Sequence, residues 1–188
     1  MYPRFGKRAF DLFASSAALI ALSSALLLIA LLIRTFDPGP AIFRQERLGK
    51  DGSLFVLYKF RSMPVDTGDI PSAGIDAVRL AWTGRIIRRS NLDELPQLLN
   101  ILKGDMSIVG PRPPLPSQSD LIEFRRENGA LACRPGLTGW AQINSFDGMS
   151  NAEKARFDGE YAGKVSLAFD ARIVLRTFSY LLKPPPKY

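Results

Sequence analysis

The sequence predicts an α+β fold that is mostly helical, with an apolar, membrane-embedded helix at the N-terminus and a small polar domain behind it. Three observations predict this fold. Residues 12–33 form an uncharged apolar run, residues 41–63 contain two apolar runs separated by a turn, and much of the remaining chain shows helical spacing of apolar residues. The chain has 188 residues, which suits one compact domain with an appendage.

The apolar run, LFASSAALIALSSALLLIALLI, carries no charge over 22 positions. At about 1.5 Å per residue it would extend about 33 Å, close to the ~30 Å hydrocarbon core of a bilayer. A signal peptide or a buried core helix is disfavoured by this length. Basic residues flank both ends, so the charge rule gives no clear crossing, and Ser23-Ser24 at the midpoint could bend the helix. Spanning and re-entrant arrangements both stay open.

Prolines, glycines and apolar spacing divide the rest of the chain into elements. Thr35–Pro40 ends the first helix, and two apolar, aromatic runs around Gly49–Gly52 predict a β-hairpin. The last helix could belong to the core or lie on a membrane surface. The further elements predicted in chain order are a polar loop at 64–78, a short helix at 80–89, a helix starting between 90 and 96, an extended proline-rich segment at 110–117, a helix at 119–128, a loop with little regular structure at 134–144, a capped helix at 150–161 and an apolar helix at 167–182.

The composition excludes several kinds of active site. The chain has no histidine, which excludes Ser-His-Asp and Cys-His triads and any His-ligated zinc. Its single cysteine, Cys133, cannot form an intrachain disulfide. A bound metal would therefore be a hard cation held by oxygen, such as magnesium. Lys and Arg number 25 against 18 Asp and Glu, and this excess favours an acidic partner such as anionic lipid, a phosphorylated ligand or nucleic acid.

The stretch SNLDELPQLLNILKGDMSIVGPRP, residues 90–113, places two adjacent carboxylates, Asp93 and Glu94, before an apolar helical pattern. Ser90 and Asp93 match a capping box, and acids are favourable in a first helical turn. A cap needs only one acid, however, and Glu94 would point about 100° away from Asp93 on a helix. The pair could instead provide a nucleophile or a magnesium site, which the helix dipole would keep ionised.

Several basic residues are candidates to surround this acid pair. Arg112 lies between two prolines, which preset its backbone. Cations arranged around two acids predict an anion site with bound magnesium, suited to phosphates. A nucleic-acid binder would explain neither the apolar run nor the acid pair, so no nucleic-acid partner is expected. The candidate phosphate-binding residues are Lys59, Arg61, Arg88, Arg112 and Arg134.

The motifs occur in an order that resembles one known family. In chain order they are Lys7-Arg8 with Asp11, the apolar run, FRQERLG, YKFRSM, LDELPQLLNILKGDMSIVGPRP and RPGLTGWAQIN. This order closely resembles the bacterial sugar transferases, also called small monotopic phosphoglycosyl transferases. The resemblance covers about residues 4–180.

The resemblance implies that a sugar-1-phosphate passes from a UDP-sugar to polyprenyl (undecaprenyl) phosphate with release of UMP, as the first step of glycan assembly. Asp93 would be the nucleophile and form an aspartyl phosphosugar, which the lipid phosphate then displaces. Glu94 would help to hold magnesium or assist the acceptor. Arg88, Arg112 and Arg134 match cationic positions of the family. Downstream glycosyltransferases are expected to use the product.

The resemblance also implies a location in the bacterial inner membrane. Residues 1–36 would form a re-entrant helix hairpin bent at Ser23-Ser24, because the donor and the lipid phosphate must meet at one face. Residues 37–188 would form the catalytic domain on the cytoplasmic face, with amphipathic helices at the membrane interface.

The chain departs from the family pattern in two places. The serine pair stands where the family usually has Ser-Pro, and a proline would remove a backbone hydrogen bond outright. Asn144 is followed by Ser-Phe-Asp, where the family commonly has Gly-Arg-Asn, so one cation expected near the donor is missing. Two other hypotheses stay open: a membrane-anchored, non-catalytic phospholipid-binding or scaffold protein whose acids only cap a helix, and a nucleotide-sugar hydrolase.

Overall fold

The structure is a computed structural model that describes residues 2–64, 82–146 and 148–181. All but the first residue of the polar loop predicted at 64–78 lies outside these described residues, and so does the C-terminal tail. Within the described residues the chain is mostly helical and has two small two-stranded sheets. The predicted α+β, mostly helical class is confirmed.

Helix α1 spans Lys7–Phe36 and follows a π-helical segment at Tyr2–Gly6. Its 30 residues would extend about 45 Å if the helix were straight. It is the one described helix that is long and apolar enough to cross a membrane, and only 11% of its most apolar stretch is buried. The hydrogen-bond pattern shows no break at the serine pair: Ser23 Oγ donates to Ile20 O (2.9 Å) and the helix continues. Serine keeps the backbone N–H that proline lacks, so the helical ladder stays complete. Residues 7–36 therefore form one continuous helix, and the helix hairpin predicted for residues 1–36 is not confirmed.

The N-terminal part of α1 is held to the polar domain by charged side chains. Arg8 donates to the main-chain carbonyls of Ile101 (2.5 Å) and Leu102 (2.9 Å). The buried carboxylate of Asp11 accepts a hydrogen bond from the main-chain N–H of Ile108 (2.9 Å). Bonds to charged groups are stronger than neutral ones, so these contacts fix where the apolar helix begins.

The C-terminal part of α1 packs against the same domain. Ile29 and Ile33 are buried in one hydrophobic cluster with Phe60 and Ile87. Between the two contact regions, residues 20–25 are all exposed. Both ends of the helix therefore contact one domain while its middle stays uncovered.

Strands β1 (Ile42–Leu48) and β2 (Leu54–Phe60) pair antiparallel, which confirms the predicted β-hairpin. Their turn contains Asp51 in the left-handed region, with φ of 55°, a conformation that a short polar side chain tolerates better than most. Helix α2 spans Trp82–Arg89 and ends in two arginines, as predicted.

Helix α3 (Gln97–Lys103) is joined to β2 by a buried asparagine. Asn100 Oδ1 accepts from Tyr58 N (3.0 Å), and its Nδ2 donates to Val56 O (2.7 Å). The side chain thus pairs with the outer edge of β2 as another strand would. A buried polar group without a partner costs about 1–3 kcal/mol, so this contact fixes the strand against the helix.

A short parallel sheet joins β3 (Ser107–Val109) to β4 (Gly136–Thr138). It is followed by the one-turn helix α5 (Trp140–Ile143). The prediction that residues 134–144 form a loop with little regular structure is therefore wrong. The partner of β4 lies far back in the chain, and local patterns carry little information about such pairings.

Three further helices complete the domain, each close to its predicted position: α4 (Ser119–Glu127), α6 (Asn151–Ala162) and α7 (Leu167–Leu181). The predicted capping box at the start of α6 is confirmed, since Ser150 and Glu153 each bond the main-chain N–H of the other. In α7, Ile173 is fully buried whereas Phe178 is 66% exposed. This helix therefore has a core side and an exposed apolar side.

Candidate active site

Asp93 and Glu94 lie in a 3-10 turn, Leu92–Glu94, between α2 and α3. Neither this turn nor α3 has a side-chain cap. The hydroxyl of Ser90 instead donates back to Ile86 O (2.8 Å) at the end of α2, a bond that serine commonly makes in helices. The capping box predicted from Ser90 and Asp93 is therefore wrong, and the two acids precede α3 as a separate turn.

Two cations hold Glu94 through a single carboxylate oxygen. Lys59 Nζ lies 2.9 Å from Glu94 Oε1, and Arg112 Nη2 lies 2.8 Å from the same atom. Burial raises the pKa of Glu94, but the charges and hydrogen bonds of Arg112 and Lys59 outweigh burial and hold that pKa well below its usual range. Glu94 is therefore a carboxylate at neutral pH.

Asp93 is buried, and its carboxyl group is the less acidic of the two. Burial raises the pKa of Asp93 to about 6, and the charge of Glu94 adds to the shift. Three cations oppose it: Lys59, Arg88 and Arg112. This direction differs from the expectation that a helix dipole keeps Asp93 strongly ionised, because the acid lies in a buried turn rather than at an exposed helix start. Asp93 is therefore mainly ionised at pH 7 but more basic than an exposed aspartate.

Lys59 reaches the acid pair because β2 is fixed against α3. Asn100 bonds the strand on either side of Leu57, through Val56 and Tyr58, immediately before Lys59. Burial lowers the pKa of the Lys59 ammonium, and the charge of Glu94 works against that shift. Strand β2 therefore places the poorly solvated ammonium of Lys59 against the Glu94 carboxylate.

Arg112 is presented by residues 111–114, a proline-rich segment that we call the proline ribbon. Three of its four residues are prolines, with a fixed φ and no N–H. Each of its four main-chain carbonyls accepts a hydrogen bond from a different donor. The donors are Gly136 N to Pro111 O (2.8 Å), Arg125 Nη1 to Arg112 O (2.8 Å), Arg47 Nη1 to Pro113 O (3.1 Å) and Leu48 N to Pro114 O (3.1 Å). Residues 111–115 are in neither helix, strand nor turn, as expected for the segment predicted at 110–117, whereas residues 116–117 form a turn. These four carbonyl contacts fix the position of the ribbon along its whole length.

The proline ribbon begins where two main chains cross very closely. A Cβ on Gly110 would lie 2.3 Å from Arg134 O, and a Cβ on Gly136 would lie 2.1 Å from Gly110 N. Distances this short cannot be relieved without moving the backbone. Glycine is therefore required at both positions, and the crossing sets where the ribbon leaves β3.

Two of the predicted phosphate-binding residues have other contacts. Arg61 is buried and bonds the main-chain carbonyl of Asp37, with that residue's carboxylate 3.5 Å away. Residues two apart in a strand share a face, but β2 ends at Phe60, so Arg61 does not follow the preceding lysine towards the acids. Arg134 is exposed and donates to Gly104 O (3.0 Å) at the end of α3. Among the contacts of the described residues, neither guanidinium reaches the acid pair.

Comparison with known proteins identifies the family. The model of a family described as bacterial sugar transferase matches residues 2–184. The chain belongs to the bacterial sugar transferase family. Its acid pair and the cations around it are therefore the candidate active site of a transferase.

Three relatives differ in how much of their own length this chain covers. It is 40% identical over 183 residues to the UDP-glucose:undecaprenyl-phosphate glucose-1-phosphate transferase of Escherichia coli (strain K12), covering 93% of this chain and 39% of that protein. A protein of the same name from Caulobacter vibrioides is 39% identical over 191 residues, or 97% of this chain and 72% of the relative. The exopolysaccharide production protein PSS of Rhizobium leguminosarum bv. phaseoli is 40% identical over 186 residues, or 91% and 92%. The chain thus spans about two fifths of the E. coli relative and nearly all of the Rhizobium one.

The acid pair of this sugar transferase fits a magnesium ion that arrives with phosphates. Mg²⁺ is usually bound by one or two carboxylates together with substrate phosphates, and Asp93 and Glu94 supply two. Within the part of the chain that the structure describes, no group of three or more His, Cys, Asp or Glu side chains could hold a metal.

Three buried polar residues that contact the segments carrying the site, or each other, were not predicted from the sequence: Asn100, Arg125 and Asp158. A signal was available in their spacing, since Arg125 follows the buried Leu121 by four residues and Asp158 follows the buried Ala155 by three. A charged residue on the apolar side of a helix is rarely buried without a partner. Such residues mark internal contacts even where the sequence does not reveal the partner.

We expect Arg112→Ala to raise the pKa of Glu94, because it removes a cation 2.8 Å from the carboxylate. The measurement is a pH titration of the side-chain carboxyl carbons by NMR on ¹³C-glutamate-labelled protein. The matched control is Arg126→Ala, whose guanidinium pairs with Glu123 on the exposed side of α4 and should not affect Glu94. An unchanged Glu94 pKa in Arg112→Ala would contradict the geometry described above.

Proposed function

We propose that this sugar transferase moves a sugar-1-phosphate from a UDP-sugar to undecaprenyl phosphate, or a closely related polyprenyl phosphate, and releases UMP. The observation that carries the proposal is the adjacent pair of buried Asp93 and partly buried Glu94, with Lys59 and Arg112 on the Glu94 carboxylate. The names of the E. coli and Caulobacter relatives support both substrate classes and make UDP-glucose the first donor to test. The name of the Rhizobium relative supports a role in exopolysaccharide production.

In the first half-reaction, an oxygen of the Asp93 carboxylate attacks the phosphorus that carries the sugar. A new bond joins that oxygen to phosphorus, and the bond from phosphorus to the oxygen that bridges to UMP breaks. UMP leaves with the electron pair on this oxygen, and the sugar phosphate stays on Asp93 as an aspartyl phosphosugar. The raised pKa of Asp93, about 6, supports this role, since the carboxylate is mainly ionised at pH 7 and more nucleophilic than an exposed one.

In the second half-reaction, an oxygen of the lipid phosphate attacks the same phosphorus. The bond to Asp93 breaks, and its electron pair restores the carboxylate. Two steps allow a small site to use a soluble and a membrane substrate in turn. Lys59 and Arg112 would stabilise the negative charge on the phosphoryl oxygens, and bound magnesium would neutralise charge on the diphosphate.

We further propose that both ends of α1 lie at the cytoplasmic face of the bacterial inner membrane, and that the exposed residues between them enter the bilayer while the helix continues through the serine pair. A helix that crossed would place its ends on opposite sides of a hydrocarbon core about 30 Å thick. In this chain, Arg8 and Asp11 near one end and Ile29 and Ile33 near the other contact the same domain, and residues 20–25 between them are exposed. That arrangement supports the re-entrant alternative, with the domain formed by the chain after α1 on the cytoplasmic side.

The two other hypotheses differ in how well the geometry supports them. A scaffold protein whose acids only cap a helix is disfavoured, because neither acid caps α3. A nucleotide-sugar hydrolase would use the same acids and cations, and it would release UMP without any lipid acceptor. The dependence of turnover on the lipid therefore separates the hydrolase from the transferase.

We expect Asp93→Asn to abolish UMP release, because an amide cannot act as the nucleophile. The loss should exceed about 100-fold, as expected for a group that forms the covalent intermediate. The assay measures UMP formed by purified protein from UDP-glucose and a panel of UDP-sugars, with magnesium, with and without polyprenyl phosphate.

The matched control for this prediction is Ser90→Ala. It changes a residue of the same connection whose hydroxyl bonds only α2 carbonyls, and it should keep wild-type turnover. Wild-type rates in Asp93→Asn would remove Asp93 from the reaction. Sustained UMP release without lipid would favour the hydrolase, and no UMP release from any donor would contradict the proposed function.

We expect both ends of α1 to be cytoplasmic. Cysteines introduced singly at Phe5 and Pro40, both exposed, in a Cys133→Ser background should resist a membrane-impermeant maleimide added to spheroplasts. Both should react once the membrane is lysed, which serves as the control for accessibility. Reaction of one position in intact spheroplasts would show that the helix crosses the membrane.

A further inference from the structure

Arg125 of α4 and Asp158 of α6 form an ion pair inside the domain. Arg125 Nε and Nη2 lie 2.8 Å and 2.6 Å from Asp158 Oδ2. The two side chains are only 4% and 1% exposed. A buried ion pair often stabilises a fold no better than apolar residues of similar volume would. Its presence here suggests a task other than stability.

The third nitrogen of the guanidinium indicates that task. Arg125 Nη1 donates to Arg112 O (2.8 Å). A guanidinium is planar and presents its donors in a fixed fork. Because Asp158 fixes two of those donors, the third is held in one direction, towards the main chain of Arg112.

The main chain is the part of Arg112 through which its position can be controlled. Its side chain is 44% exposed, so packing holds the guanidinium only in part. Its neighbours Pro111 and Pro113 have no N–H to bond, and the carbonyls are therefore the hydrogen-bonding groups by which the ribbon is held. The donors to the three prolines fix the flanks, whereas Arg125 bonds the residue that contacts Glu94.

We propose that Arg125 is a positioning residue for the candidate active site: fixed by Asp158, it holds the backbone of Arg112 so that the Arg112 guanidinium stays on Glu94. Arg125 acts through Arg112 and needs no contact with a substrate. The inference rests on the proposed function for its kinetic consequence, but its structural consequence at Glu94 can be measured without any reaction.

The first test is a double-mutant cycle that measures the pKa of Glu94 by ¹³C NMR titration. Arg125→Lys keeps the charge but cannot bond Asp158 and Arg112 O with the same fork, so we expect the pKa of Glu94 to rise. In the Arg112→Ala background, Arg125→Lys should cause no further rise. An unchanged Glu94 pKa in Arg125→Lys, or the same rise in both backgrounds, would overturn the inference.

The second test measures UMP release under the conditions described above. We expect Arg125→Lys to lower kcat by about 10- to 100-fold, as a misplacement near 1 Å can do, with a smaller change in KM for the UDP-sugar. Arg126→Lys, the adjacent exposed residue of α4, is the matched control and should keep the wild-type kcat. If Arg125→Lys lowers kcat by the same factor in the wild-type and Arg112→Ala backgrounds, the role of Arg125 is merely structural.

A second variant covers the case in which Arg125→Lys does not fold, as judged by its thermal unfolding. Asp158→Asn keeps the shape and an acceptor oxygen but removes the charge that fixes the fork, and it should raise the pKa of Glu94 in the same direction. If Arg125→Lys does not fold, an unchanged Glu94 pKa in Asp158→Asn would overturn the inference even if the wild type releases UMP. Absence of UMP release by the wild type would contradict the proposed function and leave the Glu94 result to decide this inference.

Discussion

Two adjacent carboxylates can share a buried site only if cations are brought to them, and this constraint governs how the domain is built. Glu94 receives both Lys59 and Arg112 on one oxygen, which keeps it ionised despite burial. Burial and the neighbouring charge of Glu94 raise the pKa of Asp93 to about 6. The two carboxylates therefore differ: Glu94 pairs with the cations, whereas Asp93 keeps the higher pKa, which suits the nucleophilic role proposed for it.

The cations come from segments that only tertiary structure brings together. Lys59 lies 35 residues before Glu94 and Arg112 lies 18 after it. The first is placed by a strand whose outer edge is bonded by Asn100, and the second by a proline ribbon held at every carbonyl. The strand that precedes the ribbon also bonds Asp11 of the apolar helix. The apolar helix α1 and the site are thus connected through a few buried polar contacts.

The sequence predicted much of this fold and part of the site. The hairpin, α4 and the capping box of α6 follow from short-range turn chemistry and apolar spacing, and the acid pair stood out because two acids exceed what a cap requires. The pairing of β3 with β4 was missed, because each strand is three residues long and its partner is remote. Arg61 was placed with the phosphate-binding residues, yet β2 ends just before it and it bonds the end of α1 instead. Local patterns specify elements, whereas the direction of a single long side chain depends on partners that the sequence does not show.

The most direct test of the central claim is to look for the covalent intermediate. Purified protein is mixed with a UDP-sugar and magnesium in the absence of lipid, quenched within one turnover, and analysed by intact-protein and peptide mass spectrometry. The account predicts the mass of one sugar phosphate added to Asp93, absent from Asp93→Asn and discharged by polyprenyl phosphate. Full UMP release with Asp93 unmodified at every quench time, or an adduct that persists in Asp93→Asn, would contradict it.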